Sequence, residues 1–236
     1  MDIKGRASGS DNNQSKQHKA DAKPIDMLKN KCQEEVRRYK SGEGYMKAGR
    51  YEEALKEFDR VIALNGNHDL ALAHHGAAYL GLKQYDEALA DFNKALKLRE
   101  DNIYALVNRG ITYRNKGQYD EALADFTKSR TLGYSPPRIE NLMRDLERKI
   151  KIQRYYDSGE EHLKARRYKK ARNDFNRVIA LDRKHSAAYA YRGRAYLELN
   201  QFKRALADFK RALRLGYSQS SILDQVRQYF EGMCQK

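Results

Sequence analysis

Five glycines set the ruler for this chain. Gly42, Gly76 and Gly110 are 34 residues apart, Gly159 and Gly193 are again 34 apart, and 49 residues separate Gly110 from Gly159. Nine residues after each glycine comes an aromatic: Tyr51, Tyr85, Tyr119, Tyr168 or Phe202. Three further on stands Ala54, Ala88, Ala122, Ala171 or Ala205, and four beyond that Phe58, Phe92, Phe126, Phe175 or Phe209. A fixed period of this size is the mark of a stacked-repeat architecture. Within a unit, Tyr51, Leu55, Phe58 and Ile62 recur at helical spacing and form one apolar stripe. A lone helical hairpin cannot bury such a stripe, so the units must stack. The small columns, glycine and alanine, are expected to let two helix backbones approach. The aromatic columns are expected to fill the space between neighbouring hairpins.

The bulk numbers agree with a helical chain of large surface. Among 236 residues there are only 3 prolines, 33% are charged, and the mean hydropathy is −0.94. No apolar run approaches the roughly 20 residues of a membrane span. The opening MDIKGRASGS lacks the apolar core of a secretion signal, and Cys32 and Cys234 have no metal-type spacing. A reducing, cytoplasmic setting is expected, with the nucleus left open. Residues 1–25 are polar and poor in aliphatic side chains, which predicts a disordered tail.

The 49-residue interval is one unit plus 15 residues. The added stretch starting SPPRIENLMRDLERKI opens with turn and helix-start residues and carries Ile139, Leu142, Leu146 and Ile150 as a helical stripe. Leu132-Gly133-Tyr134-Ser135 recurs as Leu215-Gly216-Tyr217-Ser218, ahead of a second stretch of the same kind. Two modules follow. The first, 26–150, holds repeats 35–68, 69–102 and 103–136 and a capping helix 137–150, expected to run on into the helix holding Gly159. The second, 151–236, holds repeats 152–185 and 186–219 and a capping helix 220–234.

From about residue 35 onward the four columns resemble the tetratricopeptide repeat, a 34-residue helix-turn-helix with the pattern W-x2-L-G-x2-Y, A-x3-F and a late proline. The chain departs from that pattern in having no tryptophan and in placing Gly66, Glu100 and Arg183 where the proline belongs. The resemblance implies an all-α superhelix of five repeats with two capping helices. It also implies that the first helix of each hairpin lines a concave groove for peptides. Carried over by offset, that groove holds Tyr39 and Met46, Leu70 and His74, and Tyr104, Val107, Asn108, Ile111 and Arg114. Its aromatic and apolar character suits an extended or helical segment with apolar anchors. The family's clamp for the carboxylate of chaperone tails is not matched, because Tyr39, Glu43, His74, Tyr104 and Asn108 stand at its five positions.

Charge is unevenly divided. Residues 1–151 hold 28 basic and 23 acidic side chains, whereas 152–236 hold 19 and 9, so +10 of the net +15 lies in the last third. At the start of the second helix, repeats one to three carry Glu52-Glu53, Asp86-Glu87 and Asp120-Glu121, and repeats four and five carry Lys169-Lys170 and Lys203-Arg204. A helix N-terminus favours acids, so the reversal works against local stability. With Arg166, Arg167, Arg172, Lys210, Arg211 and Arg214 it predicts a basic band facing an acidic protein or nucleic-acid phosphate.

No catalytic or metal motif of the H-E-x-x-H, C-x-x-C, P-loop or nucleophile-elbow type occurs. His74 and His75 lie about 100° apart on a helix and cannot face one ligand. The carboxylates are expected at surface columns beside Lys or Arg. The sequence therefore reads as a non-enzymatic adaptor without cofactor or metal, binding a protein or peptide partner and no membrane. An RNA- or ribonucleoprotein-associated factor and a structural subunit of a larger assembly are the alternatives.

Overall fold

The computed structural model describes residues 11–218, and the side chains of 26–218. Among the described residues there are ten α-helices and no strand. In chain order they are α1 (Asp11–Lys47), α2 (Tyr51–Leu64), α3 (Asp69–Gly81), α4 (Tyr85–Leu98), α5 (Ile103–Asn115), α6 (Tyr119–Thr131), α7 (Pro137–Lys164), α8 (Tyr168–Leu181), α9 (Ser186–Glu198) and α10 (Phe202–Arg214). The chain divides between Ser135 and Pro136 into two compact units. The first stacks the hairpins α1–α2, α3–α4 and α5–α6, and the second stacks α7–α8 and α9–α10.

The division lies ahead of α7, whereas the sequence placed it between 150 and 151. The physical reason is that the capping stretch 137–150 and the first helix of repeat four are one uninterrupted helix, so no boundary is available inside it. The second capping helix, 220–234, lies outside the described residues. Helix α1 begins at Asp11 and thus runs through the segment 11–25 expected to be disordered. Extending an existing helix needs no new nucleus, and Gln, Lys and Ala in this stretch are good propagators even without a core.

The glycine column seats the phenylalanine ring of its own hairpin. A Cβ on Gly42 would lie 2.6 Å from Phe58 Cε1, and one on Gly159 2.7 Å from Phe175 Cζ. Phe58, Phe92, Phe126 and Phe175 are wholly buried as a result. The same rings also reach the next hairpin, as expected of the aromatic columns: Phe58 lies 5.6 Å from His74, and Phe175 stacks on Tyr191 at 5.8 Å. The tyrosine column bridges too, since the Tyr51 ring of hairpin one lies against Gly81 in hairpin two.

The turn inside each hairpin passes through the left-handed region at one residue. Gly49 and Gly117 do this without strain, while Lys83 (φ 62°), Arg166 (φ 55°) and Asn200 (φ 58°) do it with a side chain.

A second buried column was read from sequence as surface. The residue before each phenylalanine is acidic in every repeat, and Glu57, Asp91, Asp125, Asp174 and Asp208 are all buried. Each is met by a base from the preceding helix. Arg109 grips Asp125 with two hydrogen bonds (2.8 and 2.7 Å), and Arg192 grips Asp208 likewise (2.7 and 2.6 Å). His75 Nδ1 lies 2.6 Å from Asp91, His162 Nδ1 2.7 Å from Asp174, and Arg38 reaches Glu57 at 3.2 Å. A buried carboxylate is tolerated only with such a partner, so this ladder fixes the registry of first helix on second.

Candidate binding surfaces

The nine residues expected in the first groove all lie on α1, α3 and α5, the first helices of the three hairpins, and all nine are half-buried. Three of them form a chain of rings across the three helices. His74 meets Tyr39 edge-on at 5.5 Å and stacks on Tyr104 at 4.3 Å. Tyr39 also stacks on His68 at 5.2 Å and meets Phe58 edge-on at 5.9 Å. Met46 and Tyr104 pack against the core cluster of the second hairpin. The Asn108 amide donates to the Tyr104 carbonyl at 2.9 Å, and Arg114 donates to Asn115.

Burial sets the protonation of this cluster. It holds the His74 imidazole below its ordinary value, so the ring is neutral, and its Nδ1 is buried with no hydrogen-bond partner among the described residues. The Tyr39 hydroxyl is pushed up to about 12, by burial first and then by the Glu43 carboxylate. Tyr104 is raised for the same two reasons. The three rings are thus uncharged, with one carboxylate, Glu43, at their side.

The second unit repeats the arrangement with different chemistry. Tyr156 meets Tyr191 edge-on at 5.7 Å and leans on His185 at 5.1 Å. Burial, and then the neighbouring Tyr191, raises the phenols of Tyr156 and Tyr217, the latter to about 12. A cleft of about 160 Å³ opens beside Tyr191, lined by Glu160, Leu163, Lys164 and Arg194. The two rings that flank the tyrosines have a second task missed in the sequence. His68 and His185 cap α3 and α9, each Nδ1 accepting from a backbone N–H (3.1 and 3.2 Å), as Asn102 does for α5. The position just ahead of a first helix was the available signal, but histidine is not among the usual capping types.

The basic residues of the second unit fall into two groups. Arg166 and Arg167 occupy the turn before α8, Lys169 and Lys170 its first turn, and Lys203 and Arg204 the first turn of α10. All are exposed, as are Lys210 and Arg211. Arg172 departs from the band: it is half-buried and turned onto Asn173 at 2.9 Å. Neither α8 nor α10 has a side-chain cap or an acid in its first turn, whereas α2, α4 and α6 lack the cap but have the acids.

Among the described residues no cluster of three or more metal-ligating side chains occurs, and no helix is long and apolar enough to cross a membrane. Models of the tetratricopeptide repeat match residues 156–219 and 38–68, and a model of the TPR repeat matches 76–117, together more than half of the chain. No curated protein matches. Similar solved structures include the Arabidopsis OM64 TPR domain, 23% identical over 50% of this chain and 97% of that one, with a TM-score of 0.48. The second TPR domain of human RPAP3, in complex with the HSP70 peptide SGPTIEEVD, is 26% identical over 50% of this chain and 98% of that one, with a TM-score of 0.46. The TPR2B domain of yeast Sti1, in a complex with an Hsp70 peptide, is 20% identical over 50% and 98%, with a TM-score of 0.47.

Proposed function

Since the chain belongs to the tetratricopeptide-repeat family, we propose that it is a non-catalytic adaptor whose first unit receives a peptide segment of a partner protein along α1, α3 and α5. The observation that carries this reading is the ring chain Tyr39–His74–Tyr104, which spans three hairpins and leaves a half-buried apolar strip. Aromatic side chains give large contact area at small entropic penalty, and such strips serve as anchor sites for apolar side chains. Glu43 beside the rings disfavours a terminal carboxylate, so the partner segment is internal or amphipathic rather than a carboxylate-terminated tail.

Selection from a displayed library of random 12-residue peptides against the full chain tests this. The recovered peptides should carry two or more apolar anchors. Val107→Arg, which places a charge on the strip at a half-buried position, should weaken them at least tenfold with the melting temperature unchanged. Peptides that bind Val107→Arg as well as the wild type would place recognition elsewhere.

A further inference from the structure

The second helices of the five hairpins can be compared position by position. At 100° per residue, positions 203, 204, 207, 210, 211 and 214 of α10 fall in one outward arc of about 120°, opposite the buried Ala205, Phe209 and Ala212. The equivalent arc of α2 carries Glu52, Glu53 and Asp59 against Lys56 and Arg60, a net −1. In α4 it carries Asp86 and Glu87 against Lys94 and Lys97, net zero, and in α6 Asp120 and Glu121 against Lys128, net −1. In α8 the arc holds Lys169, Lys170 and Arg177 with no acid, and in α10 Lys203, Arg204, Lys210, Arg211 and Arg214 with no acid, so +3 and +5.

Among the described residues, little in the second unit neutralises these charges. The only carboxylates of α8 and α10 are Asp174 and Asp208, which are buried and turned inward onto His162 and Arg192. All eight arc cations are exposed, and among the described residues only Arg177 makes an ion pair, at 3.4 Å to Asp174. The reversal of the first-turn pairs is therefore one end of a cationic stripe that runs the length of α10.

We propose that the outward face of α8 and α10 binds the phosphate backbone of nucleic acid, without reading sequence. The rest of the arc favours phosphate over a protein or a bilayer. Its remaining positions are Asn173, Asn176, Ala180 and Ala207, none of them the aromatic or aliphatic anchor that interface centres and interfacial helices require. Half the cations are arginines, suited to phosphate oxygens by their two-pronged donor geometry. Tyr189 and Tyr196 lie under guanidinium groups, Arg192 at 5.3 Å and Arg204 at 5.9 Å, and so are not free platforms for base stacking. Recognition is then electrostatic and strongly salt-dependent.

The test uses the full chain and a fluorescein-labelled, mixed-sequence RNA of 20 nucleotides, followed by anisotropy. With four or five phosphates engaged, raising the salt from 50 to 200 mM should weaken binding roughly 50- to 130-fold. Two variants separate binding from folding. Lys203→Glu with Arg204→Glu places acids at the start of α10, where they favour the helix; Arg211→Gln with Arg214→Gln removes cations from its last turn, which disfavours it. Both should weaken RNA tenfold or more, whereas a folding artefact would move them in opposite directions. Lys56→Glu with Lys97→Glu, on the exposed arcs of the first unit, should change binding less than twofold. An equal loss in that control overturns the proposal. So does displacement of the RNA by polyglutamate at equal charge concentration, or equal affinity for vesicles containing phosphatidylserine, since either makes the face a general acidic-protein or membrane surface.

Discussion

Restoring the first-unit charges to α8 should stabilise the second unit. Lys169 and Lys170 are exposed, sit in the first turn of an uncapped helix and make no ion pair among the described residues. Each charge reversal removes an unfavourable interaction with the helix N-terminus and adds a favourable one, each about 0.3–1 kcal/mol at low salt. Arg167 stands ahead of position 170 as Arg50 stands ahead of Glu53, which it bonds at 2.7 Å, and a pair of that kind adds about 0.3 kcal/mol. Taking the lower half of these ranges for exposed sites, Lys169→Glu with Lys170→Glu should stabilise the unit by about 1.5–3 kcal/mol. For a unit of this size that raises the melting temperature by at least about 4 °C. Calorimetry on the full chain, with the transitions of the two units separated, should show the gain at 20 mM salt. At 1 M salt, where the Debye length is about 3 Å, it should largely vanish. An unchanged or lower melting temperature at 20 mM, or a gain that survives 1 M salt, would refute the dipole reasoning.

Three further outcomes follow from the packing. Gly159→Ala should destabilise by about 1–2 kcal/mol, because its Cβ meets the buried Phe175 ring at 2.7 Å and that clash outweighs the better helix propensity; Gly44→Ala, with nothing within 4 Å, should instead stabilise in urea titration. Arg109→Ala leaves the buried Asp125 carboxylate without its guanidinium and should lower stability by about 3 kcal/mol, measured by chemical denaturation. His74 is held below its ordinary value of 6.5 by burial, so folding favours the neutral ring, and its contribution is whole above pH 6.5 and lost as pH falls toward the depressed value. The stability of wild type relative to His74→Phe should therefore fall between pH 7.5 and 5, and parallel pH curves would contradict this.

The repeat was legible because it is a spacing. The Gly, Tyr, Ala and Phe columns recur at fixed offsets, and each second helix begins at its tyrosine or, in α10, at Phe202. The groove residues were legible as positions, since offsets alone place Tyr39, His74 and Tyr104 on first helices. Which of them touch was not: the stack of His74 on Tyr104 joins residues of adjacent repeats. The acidic column before each phenylalanine was visible as letters yet read as surface, because acids with Lys or Arg three or four residues away look like solvated pairs. Asp125 and Asp208 take their partners from sixteen residues upstream, across the hairpin.

The extension of the basic band to Arg177 was available from helical spacing. That the stripe as a whole stays largely unneutralised was not, because it depends on Asp174 and Asp208 being drawn inward. The linear order of residues determined the hairpin period, the helix starts and the net excess of positive charge, all properties of spacing and count. Tertiary structure decided which charges are consumed in the interior and which remain outside, because an ion pair across a hairpin forms only when two helices are packed at a set distance and registry.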